Sequence, residues 1–358
     1  MSGKSIVVVG LGNIGSHFVP HAARMENVTR IVLIDAQTYE VRNCLDQDTL
    51  LSDAAQPKAI AQARRLIAIR PDLEVHAVHA PLESVPLALW RAHLIVACLD
   101  SREARQGVNA RARHLGAAWF VDTGVLASQS LARVNVYAPD PDAPCLECPW
   151  SEDDYRLLEQ RYPCALGGET PLPTGAPSAL GALAASLAAL ECRKLLNDDR
   201  EHALIGRQLV YAANSHHAVV TRFARNPACR FDHARWTVEP LIWDLREKRM
   251  ADLIAFGGGV AAIPGHRFVR RRVCPRCGAA RQLFHLEGSL PRAFVACYVC
   301  GDTTVTPGFD VVETLTADLP ADVLGMTLAD AGLRAGEIVC ARKRHFEIAG
   351  NAVIGGER

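Results

Sequence analysis

The stretch "SIVVVGLGNIG" (Ser5–Gly15) sets the reading of the whole chain. Ile6 to Val9 form an uninterrupted apolar run, which predicts a strand buried on both faces, as in a parallel sheet. Gly10, Gly12 and Gly15 then follow in G-x-G-x-x-G spacing. Glycines so placed predict a tight turn into a helix N-terminus, where the backbone can approach a phosphate. Alone, the pattern says nucleotide or dinucleotide, and an NAD- or FAD-dependent oxidoreductase is the reading that further residues must displace. Outward from this stretch, the chain alternates. A helical pattern runs from about Ile14 to Met25, and then come "RIVLID", a helix over Pro57 to Ile67, "LEVHAV", "HLIVACLD", a helix over Glu103 to His114, and "AAWFVD". Short apolar strands separated by helices predict an α/β fold with a doubly wound, mostly parallel, Rossmann-like sheet.

Beyond these elements the pattern changes. "LARVNVYAP" alternates as an antiparallel strand does. "TPLPTGAPS" is a Pro/Gly-rich loop, with Ser178 expected to N-cap an apolar, small-residue helix that ends near Leu196. "GRQLVYAA" predicts one more strand, residues 236–259 are less regular, and "FGGGV" reads as a boundary. The expected organisation is a domain over 1–245 containing a crossover loop over 149–175, a zinc ribbon over 265–305, and a small α+β segment over 306–358.

Lys plus Arg and Asp plus Glu balance at 39 each, which argues against a general nucleic-acid binder and leaves room for a local basic patch. The longest apolar run, Ala179–Leu190, is too short to span a bilayer, and no targeting segment is read at the start. Twelve cysteines in such an α/β chain point to metal or catalysis rather than disulfides, and to a cytoplasmic protein.

The residues after the glycine turn favour a triphosphate. Asp35 ends the second strand, where a carboxylate can meet ribose hydroxyls. Asn43, Gln47 and Lys58 follow, and Asp100 comes directly after the fourth strand. A carboxylate there can hold magnesium against phosphates, with Lys58 as a point charge. Individually, Asp100 also suits a helix N-cap and Lys58 a solvated lysine.

Taken in order, "GLGNIG", "LID...N...Q", "PKA" and "LDS...R...N" resemble the ThiF/MoeB/ubiquitin-activating superfamily, over roughly Ser5 to Leu196 and more weakly to about His233. The resemblance implies an adenylation fold that binds ATP with Mg2+. Asp35 would contact the ribose, Asn43, Gln47, Lys58 and Arg105 would line the phosphates, and Asp100 would hold the magnesium. The family's N-L-x-R-Q string appears here as "NCLDQ", with Asp46 in the arginine's place.

The cysteines sort by spacing. "CPRCG" and "CYVCG" (Cys274, Cys277, Cys297, Cys300) match a four-thiolate zinc ribbon. Cys145 and Cys148 form a further C-x-x-C pair, and Cys229 with His233 offers two more ligands of suitable chemistry. The resemblance supports this second Zn2+ site, because the family closes it with a late P-x-C-x-x-C string that "NPACRFDH" approximates. Cys164 has no neighbouring ligand. In the ubiquitin-activating branch, a catalytic cysteine follows the zinc pair after a proline-containing segment, and "CLECPWSEDDYRLLEQRYPC" is similar to that arrangement. Ala165 stands where the family has threonine.

The resemblance therefore implies an enzyme with Cys164, Asp100, Lys58 and Arg105 as catalytic residues. It would adenylate the C-terminal carboxylate of a small ubiquitin-like protein ending in glycine, pass the acyl group to Cys164 as a thioester, and work as a homodimer with a downstream carrier. Three alternatives stay open: a sulfur-carrier adenylyltransferase that forms no thioester, an oxidoreductase, and a scaffold that only binds a partner.

Overall fold

The computed structural model describes residues 3–116, 118–159, 175–291, 294, 296–302 and 310–349. The chain divides into two compact units, one holding residues 1–82 and 90–235, the other 83–89 and 236–358.

The first unit is built on an eight-stranded sheet. Its strands are β1 (Lys4–Val9), β2 (Val28–Ile34), β3 (Glu74–Val78), β4 (Leu94–Ala97), β5 (Trp119–Leu126), β6 (Leu131–Tyr137), β7 (Arg207–Ala212) and β8 (His217–Arg222), in the order β3-β2-β1-β4-β5-β6-β7-β8. Strands β1 to β5 pair in parallel, and β6, β7 and β8 add antiparallel hairpins. The doubly wound expectation is met. The switch in strand order falls between β1 and β4, the position at which such sheets bind ligands beyond their carboxyl ends.

The helices are α1 (Asn13–Ala23), α2 (Lys58–Ile69), α3 (Arg102–His114), α4 (Glu152–Glu159) and α5 (Ser178–Leu196). Ile6, Val8, Leu11, Phe18, Ile31 and Leu33 are fully buried between sheet and helices, each contributing roughly 1.5–3 kcal/mol of apolar burial. The small residues of α5 serve internal packing: Ala184, Ala185, Ala188 and Ala189 are buried in the same core. A Cβ on Gly181 would sit 1.6 Å from the Asn13 side-chain oxygen, so α5 and α1 approach as only glycine permits. Ser178 is not the N-cap of α5. Pro177 holds that position with φ −56°, and the Ser178 hydroxyl bonds His17 Nε2 at 3.0 Å instead. A proline with fixed φ starts a helix without needing a side-chain acceptor.

The second unit contains β9 (Val238–Leu241), α6 (Met250–Phe256), β10 (Val260–Ala262), β11 (Phe268–Val273), β12 (Ala280–Leu286), β13 (Val311–Val312), β14 (Thr314–Thr316), α7 (Ala321–Gly325), β15 (Ile338–Ala341) and β16 (Arg344–Ile348). One sheet runs β14-β10-β15-β16-β9 and another β12-β11-β13. The units divide before the boundary expected at 245, because β9 pairs in parallel with β16 near the chain's far end. "FGGGV" is a turn rather than a boundary: Gly258 and Gly259 take φ of +74° and +100° between α6 and β10. Phe268 and Leu286 of the ribbon strands share a core with Leu253, Val339 and Ile348.

Candidate functional site

The glycine turn follows β1. Gly10 has φ +86°, and a Cβ there would meet the Cys98 carbonyl at 2.5 Å, so the turn presses against the end of β4. A Cβ on Gly15 would lie 1.9 Å from the Gly10 carbonyl, which forces glycine where α1 starts its climb. Gly12 differs: nothing lies within 4 Å of its would-be Cβ. The turn is closed on the protein side and open at Gly12, an arrangement in which a ligand can reach the backbone.

Asp35 holds this turn in place. Its carboxylate accepts from Leu11 N at 2.7 Å and Gln37 N at 2.6 Å. Burial raises its pKa, with Lys58 the strongest opposing charge. Lys58 opens α2 after Pro57 and is 3% exposed. Its Nζ donates to Gln37 Oε1 at 2.8 Å. Burial pulls Lys58 below the usual lysine range, while Asp35, Asp46, Asp100 and Glu40 push the other way. The cation is thus already surrounded by carboxylates. A triphosphate entering here needs a further positive charge, which a divalent cation supplies.

The segment after β2 shapes the rest of the wall. The Asn43 side chain accepts from Glu40 N at 2.8 Å and caps a short 3-10 turn over Val41–Leu45. Arg42 pairs with Glu40 at 2.8 Å. Asn13 Oδ1, Asp46 Oδ1 and Gln47 Oε1 are buried and lack a hydrogen-bond partner. Orphaned acceptors are costly inside a protein; Asn13 Oδ1 lies against α5 at Gly181, and Gln47 Oε1 is an acceptor that the donors of a nucleoside would satisfy. The residues fit a magnesium nucleotide on that ground. Asp100 is exposed beside α3, and Ser101 is the N-cap: its hydroxyl accepts from Ala104 N at 3.3 Å. Capping therefore does not account for Asp100.

Arg105, expected along the phosphates, is engaged by the protein's own groups. It is 6% exposed, ion-paired with the fully buried Asp122, and donates to the carbonyls of Leu99 and, at 2.6 Å, Thr123. Asp122 also accepts from Asn135 Nδ2 at 3.0 Å. The guanidinium is engaged in this arrangement, fastening α3 to β5.

Two ligand clusters are present among the described residues. Cys145, Cys148, Cys229 and His233 form one, Cys274, Cys277, Cys297 and Cys300 the other, and within each the ligand atoms lie within 4.8 Å of one another. Tetrahedral Zn–S bonds of about 2.3 Å place neighbouring thiolates about 3.8 Å apart. Cys145 Sγ and Cys229 Sγ are 3.8 Å apart, and Cys148 Sγ and His233 Nε2 3.6 Å. In the ribbon, Cys274–Cys300 measures 3.6 Å and Cys277–Cys297 3.5 Å. Backbone N–H groups of Cys300, then Val299, pull the Cys297 thiol below the usual cysteine range. Both donor sets fit zinc.

Sequence reasoning missed Glu147, set between two cysteine ligands yet 2% exposed, and Gln37, the partner of Lys58. Gln37 carried a signal in its place two residues after Asp35. Cys164 lies outside the described residues.

A doubly wound sheet with an open glycine turn at its switch point defines an α/β fold of the nucleotide-binding type, and the same unit carries a four-ligand cluster that could hold a metal. Residues 1–231 match the ThiF family, and the chain belongs to it. It is 23% identical over 221 residues to ubiquitin-like modifier-activating enzyme 5 of Dictyostelium discoideum, covering 56% of this chain and 55% of that one. It is 23% identical over 244 residues to the same-named protein of Bombyx mori, covering 63% and 58%. The chain thus spans somewhat over half the length of these curated relatives. Its fold is similar to that of E. coli MccB solved with ATP, with TM-score 0.51 at 20% identity over 64% of this chain and 66% of that one. It is also similar to the microcin C7 biosynthetic enzyme MccB in complex with N-formylated MccA, with TM-score 0.52 at 19% identity over 64% and 67%. No described helix is long and apolar enough to cross a membrane.

Proposed function

We propose that the protein adenylates the C-terminal carboxylate of a small ubiquitin-like protein and then takes the acyl group onto Cys164 as a thioester. One observation carries the adenylation step: the turn open at Gly12, the buried cation Lys58 and the exposed Asp100 all belong to the switch-point end of one sheet. ATP would lie with its phosphates toward Gly10, Gly12 and Gly15 and its ribose toward Asp35, while Asn43 and Gln47 line the wall. Asp100 would hold the magnesium, which supplies the charge that Lys58 alone does not.

A partner carboxylate oxygen attacks the α-phosphorus, the bond to the β-phosphate oxygen breaks, and pyrophosphate leaves. Lys58 stabilises the charge that builds on the phosphate oxygens. Arg105 acts here by fixing α3, and with it Asp100. The Cys164 thiolate then attacks the acyl carbon, and AMP departs with the bonding pair. The crossover expected over residues 149–175 opens with helix α4 (Glu152–Glu159), and its residues 160–174, Cys164 among them, lie outside the described residues. The chain works as a cytoplasmic homodimer and hands its thioester to a carrier protein. The match to the ThiF family and the relatives named for ubiquitin-like modifier activation support this reading.

ATP–pyrophosphate exchange in the presence of small glycine-terminated proteins tests adenylation. A thiol-sensitive adduct with the same proteins tests the thioester. Exchange without an adduct leaves the sulfur-carrier type of adenylyltransferase, which keeps the first step and drops the second, whereas a thiol-sensitive adduct that survives in Cys164→Ala keeps the thioester and overturns its assignment to Cys164.

A further inference from the structure

We propose that Glu147 is a positioning residue that ties the first metal cluster to α3, so that metal retention and nucleotide binding form one coupled equilibrium. The inference rests on the adenylation reading only in that a nucleotide binds beside Asp100.

Glu147 lies between Cys145 and Cys148, and its carboxylate points away from the thiolates into the unit. Oε2 accepts from Gln106 Nε2 at 2.9 Å and from the Tyr155 hydroxyl at 3.2 Å. Oε1 accepts from Asn109 Nδ2 at 3.3 Å, and Asn109 Oδ1 in turn accepts from Leu146 N at 3.3 Å. Asn109 is fully buried. All three of Glu147's partners are donors, which suits an acceptor-only carboxylate.

Gln106 and Asn109 belong to a longer stripe. Arg102, Gln106, Asn109 and Arg113 follow one another at three- and four-residue spacing along α3, and so share one face. Arg102 pairs with Asp154 of α4. Arg113 donates to the Asp140 carbonyl at 2.6 Å and to that of Pro144, immediately before Cys145. This face of α3 is therefore given over to the chain that carries and follows the knuckle. The rise of about 1.5 Å per residue puts Gln106 about 6 Å along the axis from Arg102, the first residue of α3 and two after Asp100. A helix held so tightly transmits its position as a rigid element. Metal binding orders the knuckle, the knuckle orders Glu147, and Glu147 sets where the N-terminal end of α3 presents Asp100.

Coupling between sites is reciprocal, so the test reads the metal and does not need turnover. Zinc transfer from the zinc-loaded full chain to a chromogenic chelator is followed with and without saturating magnesium-ATP, and binding of the nucleotide is measured separately by calorimetry. The phase belonging to the ribbon cluster is assigned with Cys277→Ser. Magnesium-ATP is expected to slow release from the first cluster about fivefold, the low end of ordinary site–site coupling, and to leave the ribbon phase unchanged. Glu147→Gln sets an NH2 against at least one of the three donors, removes the carboxylate charge, and should bring that factor close to one with both metals still bound. Gln106→Ala, on the half-buried outer part of the same contact, should do the same should Glu147→Gln fail to fold. Release that is indifferent to a nucleotide shown to bind, or a Glu147→Gln protein that keeps the full effect, overturns the inference. If calorimetry detects no nucleotide binding, the adenylation reading itself falls, and the inference falls with it.

Discussion

The two metal clusters have similar donor sets and opposite construction. The ribbon draws its ligands from two turns, Cys274–Cys277 and Cys297–Cys300, the first of them joining β11 to β12. The other cluster gathers Cys145 and Cys148 from one end of the first unit and Cys229 and His233 from its last residues. Its knuckle is bonded through Glu147 and Asn109 to the helix that follows Asp100. Zinc in the ribbon would brace turns whose flanking strands also share the core of the second unit, through Phe268, Phe284 and Leu286. Zinc in the first unit is added to a core already present, in Ile6, Val8, Phe18 and Leu33 among others. The difference lies in what each donor set touches: the ribbon ligands flank the β11–β12 hairpin, whereas the first set is bonded through Glu147 to α3.

The largest expected effect breaks or upholds that contrast directly. Cys145→Ser should remove one of two zinc equivalents, lower the unfolding midpoint of the first unit by about 10 °C, and weaken ATP binding with it. Cys277→Ser should also lose one equivalent, yet leave ATP affinity within about twofold, since the ribbon belongs to the other unit. Elemental analysis, calorimetry and nucleotide titration read all three quantities, and equal damage to ATP binding from both variants would refute the contrast.

Lys58→Ala comes next. Losing a charged contact of about 1.5–3 kcal/mol should weaken ATP binding by about ten- to a hundredfold with both zinc ions retained, separating nucleotide loss from metal loss. A third variant runs in the opposite direction. Asp46 stands close enough to raise the Lys58 pKa, so Asp46→Arg exchanges a repulsive charge for an attractive one and should tighten ATP binding about tenfold, as titration at fixed magnesium would show. The smallest effect is that of Tyr155→Phe. It removes one neutral donor from Glu147 while Gln106 and Asn109 remain, and should cost the first unit about 1 kcal/mol in denaturant unfolding, with zinc content unchanged.

The parallel half of the first sheet was readable because β1, β2 and β4 each hold a continuous apolar run, and the crossover helices separate the runs. The second unit was not. Strands such as Val260–Ala262 and Thr314–Thr316 are too short to show a period, and their partners lie far along the chain. β8 escaped because all six of its residues are exposed at a sheet edge, leaving no buried face to mark it. In the site, the glycines and Asp100 were legible through spacing and position. Arg105 was placed on the phosphates by resemblance, whereas its guanidinium meets Asp122, a residue that pattern alone leaves inside a strand. Glu147 was hidden for a related reason: a glutamate between two cysteines reads as a solvated charge until the fold supplies its donors.

Residues 223–235 close the first unit without forming a helix or strand. They are secured by the Cys229 and His233 ligands, by the His114–Asp232 contact at 3.0 Å, and by Phe223 stacked on Tyr137 at 5.3 Å. A tail fastened by coordination needs a few correctly placed atoms rather than an amphipathic period. The intervening positions are thereby released to drift, and closure by chelation leaves a faint trace in sequence while imposing a firm stop on the chain.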